Sequence, residues 1–192
     1  MVAGVMFSGK SEELIRRVRR AMIARLRVKV FKSHLDARYE GLHKVASHTG
    51  VTIEATPIDR SDEILRLIES PTDVDVVAID ETQFLDAGIV EVATHLAERG
   101  VRVICAGTDT DFRGEPFGMM GHLMAIAEEV TKLQAICVVC GDLACRNQRL
   151  VDGRPARWNS PVVMVGGGES YEARCRRCFQ VPRHDEDQVS LL

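Results

Sequence analysis

An α/β architecture, a mostly parallel sheet with helices on both faces and a small C-terminal metal module, is predicted by three observations. Strand-like apolar runs alternate with segments of helical periodicity between Val28 and Leu133. The N-terminal stretch Gly4-Val5-Met6-Phe7-Ser8-Gly9-Lys10-Ser11 fits G-x-x-x-x-G-K-[ST], a phosphate-loop signature, and an amphipathic helix follows it directly. Two C-x-x-C pairs, Cys137/Cys140 and Cys175/Cys178, mark off the remainder. The expected division is 1–133 for a P-loop NTPase-type domain and 134–192 for a zinc-binding module.

The first element is the loop itself. Gly4 and Gly9 let the backbone approach phosphates without a Cβ in the way, and successive N–H groups can cradle them at a helix N-terminus. Lys10 would then reach the β- and γ-phosphates of a polyphosphate, and the Ser11 hydroxyl would bind Mg2+. Only Met1, Val2 and Ala3 precede Gly4, fewer residues than an ordinary strand. A stunted first strand is expected, or a start assigned too far downstream.

From Ser11 to Leu26 the stripe Leu14, Val18, Ala21 and Met22 predicts a helix, with Arg16, Arg17, Arg19 and Arg20 on its solvated face. Val28 to Lys32 reads as a strand. Ser33 to Gly50 is a polar stretch without periodicity that carries Asp36, Arg38, His43 and His48. Val51 to Glu54 is a short strand, and Ser61 to Glu69 a helix capped by Ser or Asp. The run Val74 to Ile79 ends in Asp80 and Glu81. In phosphate-loop enzymes the strand beside the loop ends in an acid that holds Mg2+, so Asp80 is the metal candidate and Glu81 is free to act as a base. A helix from Ala87 to Arg99, stopped at Gly100, precedes the strand Val101 to Ala106. Gly107 to Gly118 should line the same cleft as the acids, since ligands bind at the carboxyl ends of parallel strands. A further helix is expected from Met119 to Leu133.

The two cysteine pairs lie 34 residues apart. Four thiolates around Zn2+ close a tetrahedron with no open position, which makes the metal structural. Cys105 and Cys145 stand outside the set. Between the pairs, Asp152-Gly153 signals a hairpin turn, and Pro161 to Val165 reads as a strand entering Gly166-Gly167-Gly168. A loop anchored at both ends by one metal can fold over a ligand. With a net charge of -3, no apolar run of membrane-spanning length and no leader-like N-terminus, the expectation is a cytoplasmic protein that binds neither membrane nor nucleic acid in general.

These motifs together resemble the type II thymidine kinases, the cytosolic zinc-containing group. The likeness rests on Met6 to Ser11, Asp36-Ala37-Arg38-Tyr39, Asp80-Glu81-Thr82-Gln83-Phe84, Asp109 to Phe117, the cysteine spacing, and Val165-Gly166-Gly167 followed by Tyr171. The resemblance implies transfer of the ATP γ-phosphate to the 5′-hydroxyl of thymidine, with Glu81 as base. It implies an ATP site of Gly4, Met6, Phe7, Ser8, Gly9, Lys10, Ser11, Asp80 and Gln83. The segment between the cysteine pairs is then a lasso whose backbone near Val162, Met164, Val165 and Gly166 holds the thymine edge. Met6, Phe84, Phe112 and Tyr171 surround the base, and Asp36 and Arg38 lie near the phosphoryl path. Homotetramers and feedback inhibition by thymidine triphosphate are also implied.

Three residues depart from the family pattern: Val5 for Pro, Thr108 for an apolar residue beside the base, and Asn147 for a Thr facing the thymine methyl. The last two predict reduced preference for thymidine over deoxyuridine. The alternative from another class is a zinc-ribbon ATPase acting on a nucleic-acid or protein partner, for which the arginine-rich helix and Arg174, Arg176 and Arg177 speak.

Overall fold

The structure is a computed structural model that describes residues 1–34, 44–46, 50, 52–68, 70–163 and 169–183. Most of the polar stretch after Ser33, with Asp36, Arg38, His43 and His48, and the lasso residues Met164, Val165 and Gly166 lie outside the described residues.

In chain order the first part contains β1 (Val2–Gly4), α1 (Lys10–Ile23), β2 (Val28–Ser33), β3 (Lys44–Ala46), β4 (Thr52–Glu54), β5 (Thr56–Ile58) and α2 (Asp62–Leu67). It continues through β6 (Val76–Asp80), α3 (Ile89–Glu98), β7 (Arg102–Thr108), α4 (Met120–Ile126) and β8 (Thr131–Leu133). The central sheet has the order β5-β2-β6-β7-β1-β8 and every pairing in it is parallel. Strand alternation splits the core in two. Val76 and Ala78 face the side of α1, packing with Leu14, Ile15, Val18 and Ala21. Val77 and Ile79 face the other side, where Ile64, Ile89, Leu96 and Met120 cover them. Both faces of the sheet are therefore sealed, as an all-parallel sheet requires.

The structure corrects several expectations. The strand ending in Asp80 is not beside the loop strand, because β7 pairs with both and lies between them. The segment Met119 to Leu133 is not one helix: it stops after Ile126, and Thr131–Leu133 forms an edge strand in register with Val2–Gly4. On α1 the buried stripe contains Ile15, whereas Met22 is exposed. Ser61 does not cap α2 with its side chain; its N–H and hydroxyl bond the Asp86 carboxylate at 2.9 and 2.8 Å. The first strand is stunted as expected, three residues long and fully buried between β7 and β8.

The second part contains β9 (Ala135–Ile136), β10 (Leu143–Ala144), β11 (Arg146–Val151), β12 (Arg154–Pro155) and β13 (Glu169–Arg174). β9 and β10 pair around the first cysteine pair, and β11 sits between β12 and β13. The turn Asp152-Gly153 has φ of 51° and 75°, both left-handed, as a tight hairpin demands. Residues 161–163 are not in a strand, which removes the first half of the strand expected there. The buried Gln148 amide exchanges two hydrogen bonds of 2.9 Å with the backbone of Gln180. The chain leaving the second cysteine pair is thus tied back to β11. No helix among the described residues is long and apolar enough to cross a membrane.

Candidate functional site

Parallel register brings the functional side chains together at the carboxyl ends of the strands. Gly4 at the end of β1 pairs with Thr108 at the end of β7, and Asp80 at the end of β6 pairs with Lys32 on β2. The loop after β1 needs its glycines. A Cβ on Gly4 would lie 2.3 Å from the Leu133 carbonyl oxygen, and Gly9 adopts a φ of 85° as the residue before α1. Phe7 is also left-handed, at 64°. The loop thus holds two left-handed residues, Phe7 and Gly9, on either side of Ser8, a backbone that suits an anion nest.

Inside this turn the Lys10 ammonium donates to the Val5 carbonyl at 2.8 Å. Burial lowers its pKa, and the carboxylates Glu81, Asp80 and Asp109 act against that fall. The Ser8 hydroxyl is buried and has no hydrogen-bond partner among the described residues. A buried hydroxyl without a partner costs free energy unless a ligand satisfies it, and a phosphate oxygen fits that need.

Asp80 is fully buried, and desolvation first, then the Glu81 charge, holds its carboxyl well above the usual carboxylate range. Lys32 and Lys10 oppose the rise. A divalent cation at Asp80 and Ser11 would supply the positive charge this acid lacks. Glu81 next to it has a φ of 51°, an unusual conformation for a non-glycine residue that costs about 1 to 3 kcal/mol. Gln83 steadies the Glu81 carboxylate: the Gln83 amide nitrogen donates to it, and the amide oxygen accepts the Thr108 N–H at 3.0 Å.

The segment after β7 is organised by Asp111, whose carboxylate accepts from the backbone of Arg113 and Glu115 and from the Arg113 guanidinium. Asp109 is buried and paired with Lys132 of β8 at 2.8 Å. Phe84 stacks edge-on against Phe117 at 5.4 Å. The Phe112 ring is buried with the guanidinium of the fully buried Arg149 at 5.2 Å. Arg149 also donates to the Pro161 carbonyl, near Val162, and lies opposite Tyr171 in the β11–β13 ladder. Sequence reading overlooked Asp109 and Arg149; Asp109 stood inside the Asp109 to Phe117 motif, while nothing in the sequence marks Arg149.

Asn147, expected beside the base, commits both ends of its amide to backbone. Its oxygen accepts the Met6 N–H at 2.8 Å and its nitrogen donates to the Thr110 carbonyl at 2.7 Å. Thr108 is buried at the end of β7.

The Sγ atoms of Cys137, Cys140, Cys175 and Cys178 all lie within 4.8 Å of one another, and Cys140 and Cys175 approach to 3.6 Å. The edge of a tetrahedron with zinc–sulfur bonds of ~2.3 Å is about 3.8 Å, so the thiols fit a tetrahedral Zn2+. The two knuckles converge because the β9–β10 hairpin is tied to β13 of the neighbouring sheet, where Val138 N–H bonds the Ala173 carbonyl and Cys145 N–H bonds the Arg174 carbonyl. Cys105 lies elsewhere in the sheet, its thiol pushed up to about 11 by burial.

A phosphate loop between the first strand and first helix of a parallel sheet, facing an acid pair two strands away, defines a phosphate-loop nucleotide-binding protein of the α/β class. The cysteine cluster narrows that class to one with a metal module. The family model for thymidine kinase matches residues 1–179, and the chain belongs to the thymidine kinase family.

Proposed function

We propose that this kinase transfers the ATP γ-phosphate to the 5′-hydroxyl of thymidine, accepts deoxyuridine as well, and serves nucleotide salvage for DNA synthesis. The observation that carries the reading is the meeting of the phosphate loop, with its unsatisfied Ser8 hydroxyl, and Glu81 at the carboxyl ends of the strands, linked through Gln83 and Thr108. Phosphoryl transfer depends on positioning and charge neutralisation more than on covalent chemistry. Gly4 and Phe7 to Ser11 hold the polyphosphate, and Lys10 adds a positive charge to it. Ser11 and Asp80 are the residues that would hold Mg2+, which neutralises phosphate charge when bound. Glu81, oriented by Gln83, accepts the proton of the attacking hydroxyl. Met6, Phe84, Thr108, Phe112 and Tyr171 shape the nucleoside site, with Val162, Met164, Val165 and Gly166 on the lasso and Asp36 and Arg38 beside the phosphoryl path.

In the same reading residues 1–133 carry ATP chemistry and residues 134–192 form the zinc-anchored cover. The enzyme works in the cytoplasm as a homotetramer inhibited by thymidine triphosphate. A partner ATPase that grips nucleic acid is disfavoured by the pairing of four of its seven candidate arginines. Arg16 and Arg17 bond Glu13, Arg174 bonds Glu172 and Arg177 bonds Asp142. Incubating the zinc-loaded protein with ATP and each natural nucleoside in turn, with the product resolved, tests the proposal. Thymidine 5′-monophosphate is the expected product. Absence of any nucleoside monophosphate, with hydrolysis stimulated by nucleic acid instead, would overturn it.

A further inference from the structure

We infer that Asn147 is a positioning residue that clamps the phosphate loop to the cysteine module, rather than a selector of the base. The inference rests on reading the loop as an ATP site and does not depend on which nucleoside is the acceptor.

The geometry is specific. Asn147 is 2% exposed and stands on β11, where its backbone faces Ala173 across the β11–β13 ladder. Its oxygen takes the Met6 N–H and its nitrogen gives to the Thr110 carbonyl, so both ends of one planar amide are occupied by groups from separate loops. Turning the amide over would set donor against donor and acceptor against acceptor, and the two bonds therefore fix its orientation. Few side chains meet this requirement. Asp lacks the donor, Leu lacks both groups, and a Thr hydroxyl reaches less far.

A second contact acts on the adjoining residue. Val5 is 1% exposed and packs with Ala135, Cys137, Ala144, Ala173 and Cys175, the apolar nucleus around the cysteine cluster. Gly4 is held by the sheet, Val5 by this nucleus and Met6 by Asn147, so three successive residues have separate anchors. The two that follow the sheet are anchored by the C-terminal module. The Met6 N–H is thereby withdrawn from the set available to a phosphate. The left-handed turns at Phe7 and Gly9 are held open for a ligand at the module's expense in folding free energy. An unclamped loop would have to be ordered by the nucleotide itself, which weakens binding.

The test uses the zinc-loaded full chain and the imido analogue of ATP. In the wild type without nucleotide, amide exchange at Met6 should be slow, because its partner is a buried side chain and not water. Asn147→Leu removes both bonds and should speed that exchange and raise the Kd of the analogue by about tenfold, the effect of losing the one that orders Met6. Its KM for nucleoside should stay within about twofold, since no base contact is removed. Asn147→Asp keeps the acceptor for Met6 and should keep Met6 protected, so the clamp remains testable if the Leu variant fails to fold. Unprotected Met6 in the wild type overturns the inference. So does an Asn147→Leu protein whose preference between thymidine and deoxyuridine changes while analogue affinity and Met6 exchange do not. If the wild type phosphorylates no nucleoside, the proposed acceptor is wrong, and Met6 exchange with analogue affinity still decides the role of Asn147.

Discussion

Gln83 holds Glu81 from the side: one end of its buried amide donates to the Glu81 carboxylate and the other accepts the Thr108 N–H at 3.0 Å. The end of β7 therefore sets where the carboxylate at the end of β6 points. Gly107 has no Cβ for a reason tied to this contact, because an added Cβ would lie 2.5 Å from the Gln83 amide oxygen. Replacing Gln83 with Leu should lower kcat by about 10²-fold through misplacement of the base, with nucleotide affinity much less affected. Steady-state kinetics beside analogue binding separates the two; an unchanged kcat would remove Gln83 from this role.

Glu81→Gln keeps the shape of the side chain and removes its basicity. Turnover should fall by about 10² to 10⁴, while the Kd for an ATP analogue stays near the wild-type value. Turnover close to wild type would exclude Glu81 as the base.

For the metal centre, about one zinc per chain is expected in carefully reduced protein. Chelation or Cys140→Ser should melt residues of the C-terminal module first, because much of a binding free energy on the order of 10 kcal/mol is also folding free energy. Protein with full secondary structure and no bound metal would count against the site.

Gly4→Ala tests the packing beneath the phosphate loop. The new Cβ would meet the Leu133 carbonyl oxygen, part of the β8 backbone, which cannot swing aside as a side chain can. A loss of about 3 kcal/mol is expected, with a fall in Tm of about 6 to 12 °C. Differential scanning calorimetry reads it, and an unchanged Tm would mean that β8 yields freely.

The Glu13 carboxyl is held down to about 2, from an ordinary 4.5, first by the Arg16 guanidinium and then by Arg17, which also reaches Thr131 on β8. A depressed folded pKa contributes stability above the unfolded value and loses it as pH falls toward about 2. Urea unfolding of wild type and Glu13→Gln should therefore differ most above pH ~5 and converge on acidification. A difference that grows toward low pH would contradict the pairing.

The sequence by itself determined the features that depend on local spacing. The phosphate loop, the acids closing β6, the Asp152-Gly153 turn and the two C-x-x-C pairs each need only a few consecutive residues, and their geometry follows from backbone chemistry at those positions. Helices α1 and α3 were legible for the same reason, since one apolar stripe suffices to mark an amphipathic helix. Tertiary structure decided what spans the chain. Thr131–Leu133 has no pattern of its own and becomes a strand because β1 presents an open edge to it. Asn147, Gln148 and Arg149 are polar side chains, yet all three are buried, because backbone groups from distant loops satisfy them. Asn147 and Met6 are 141 positions apart, and no periodicity or motif encodes a hydrogen bond over that separation. Only the packing of the cysteine module against the sheet edge brings the two together.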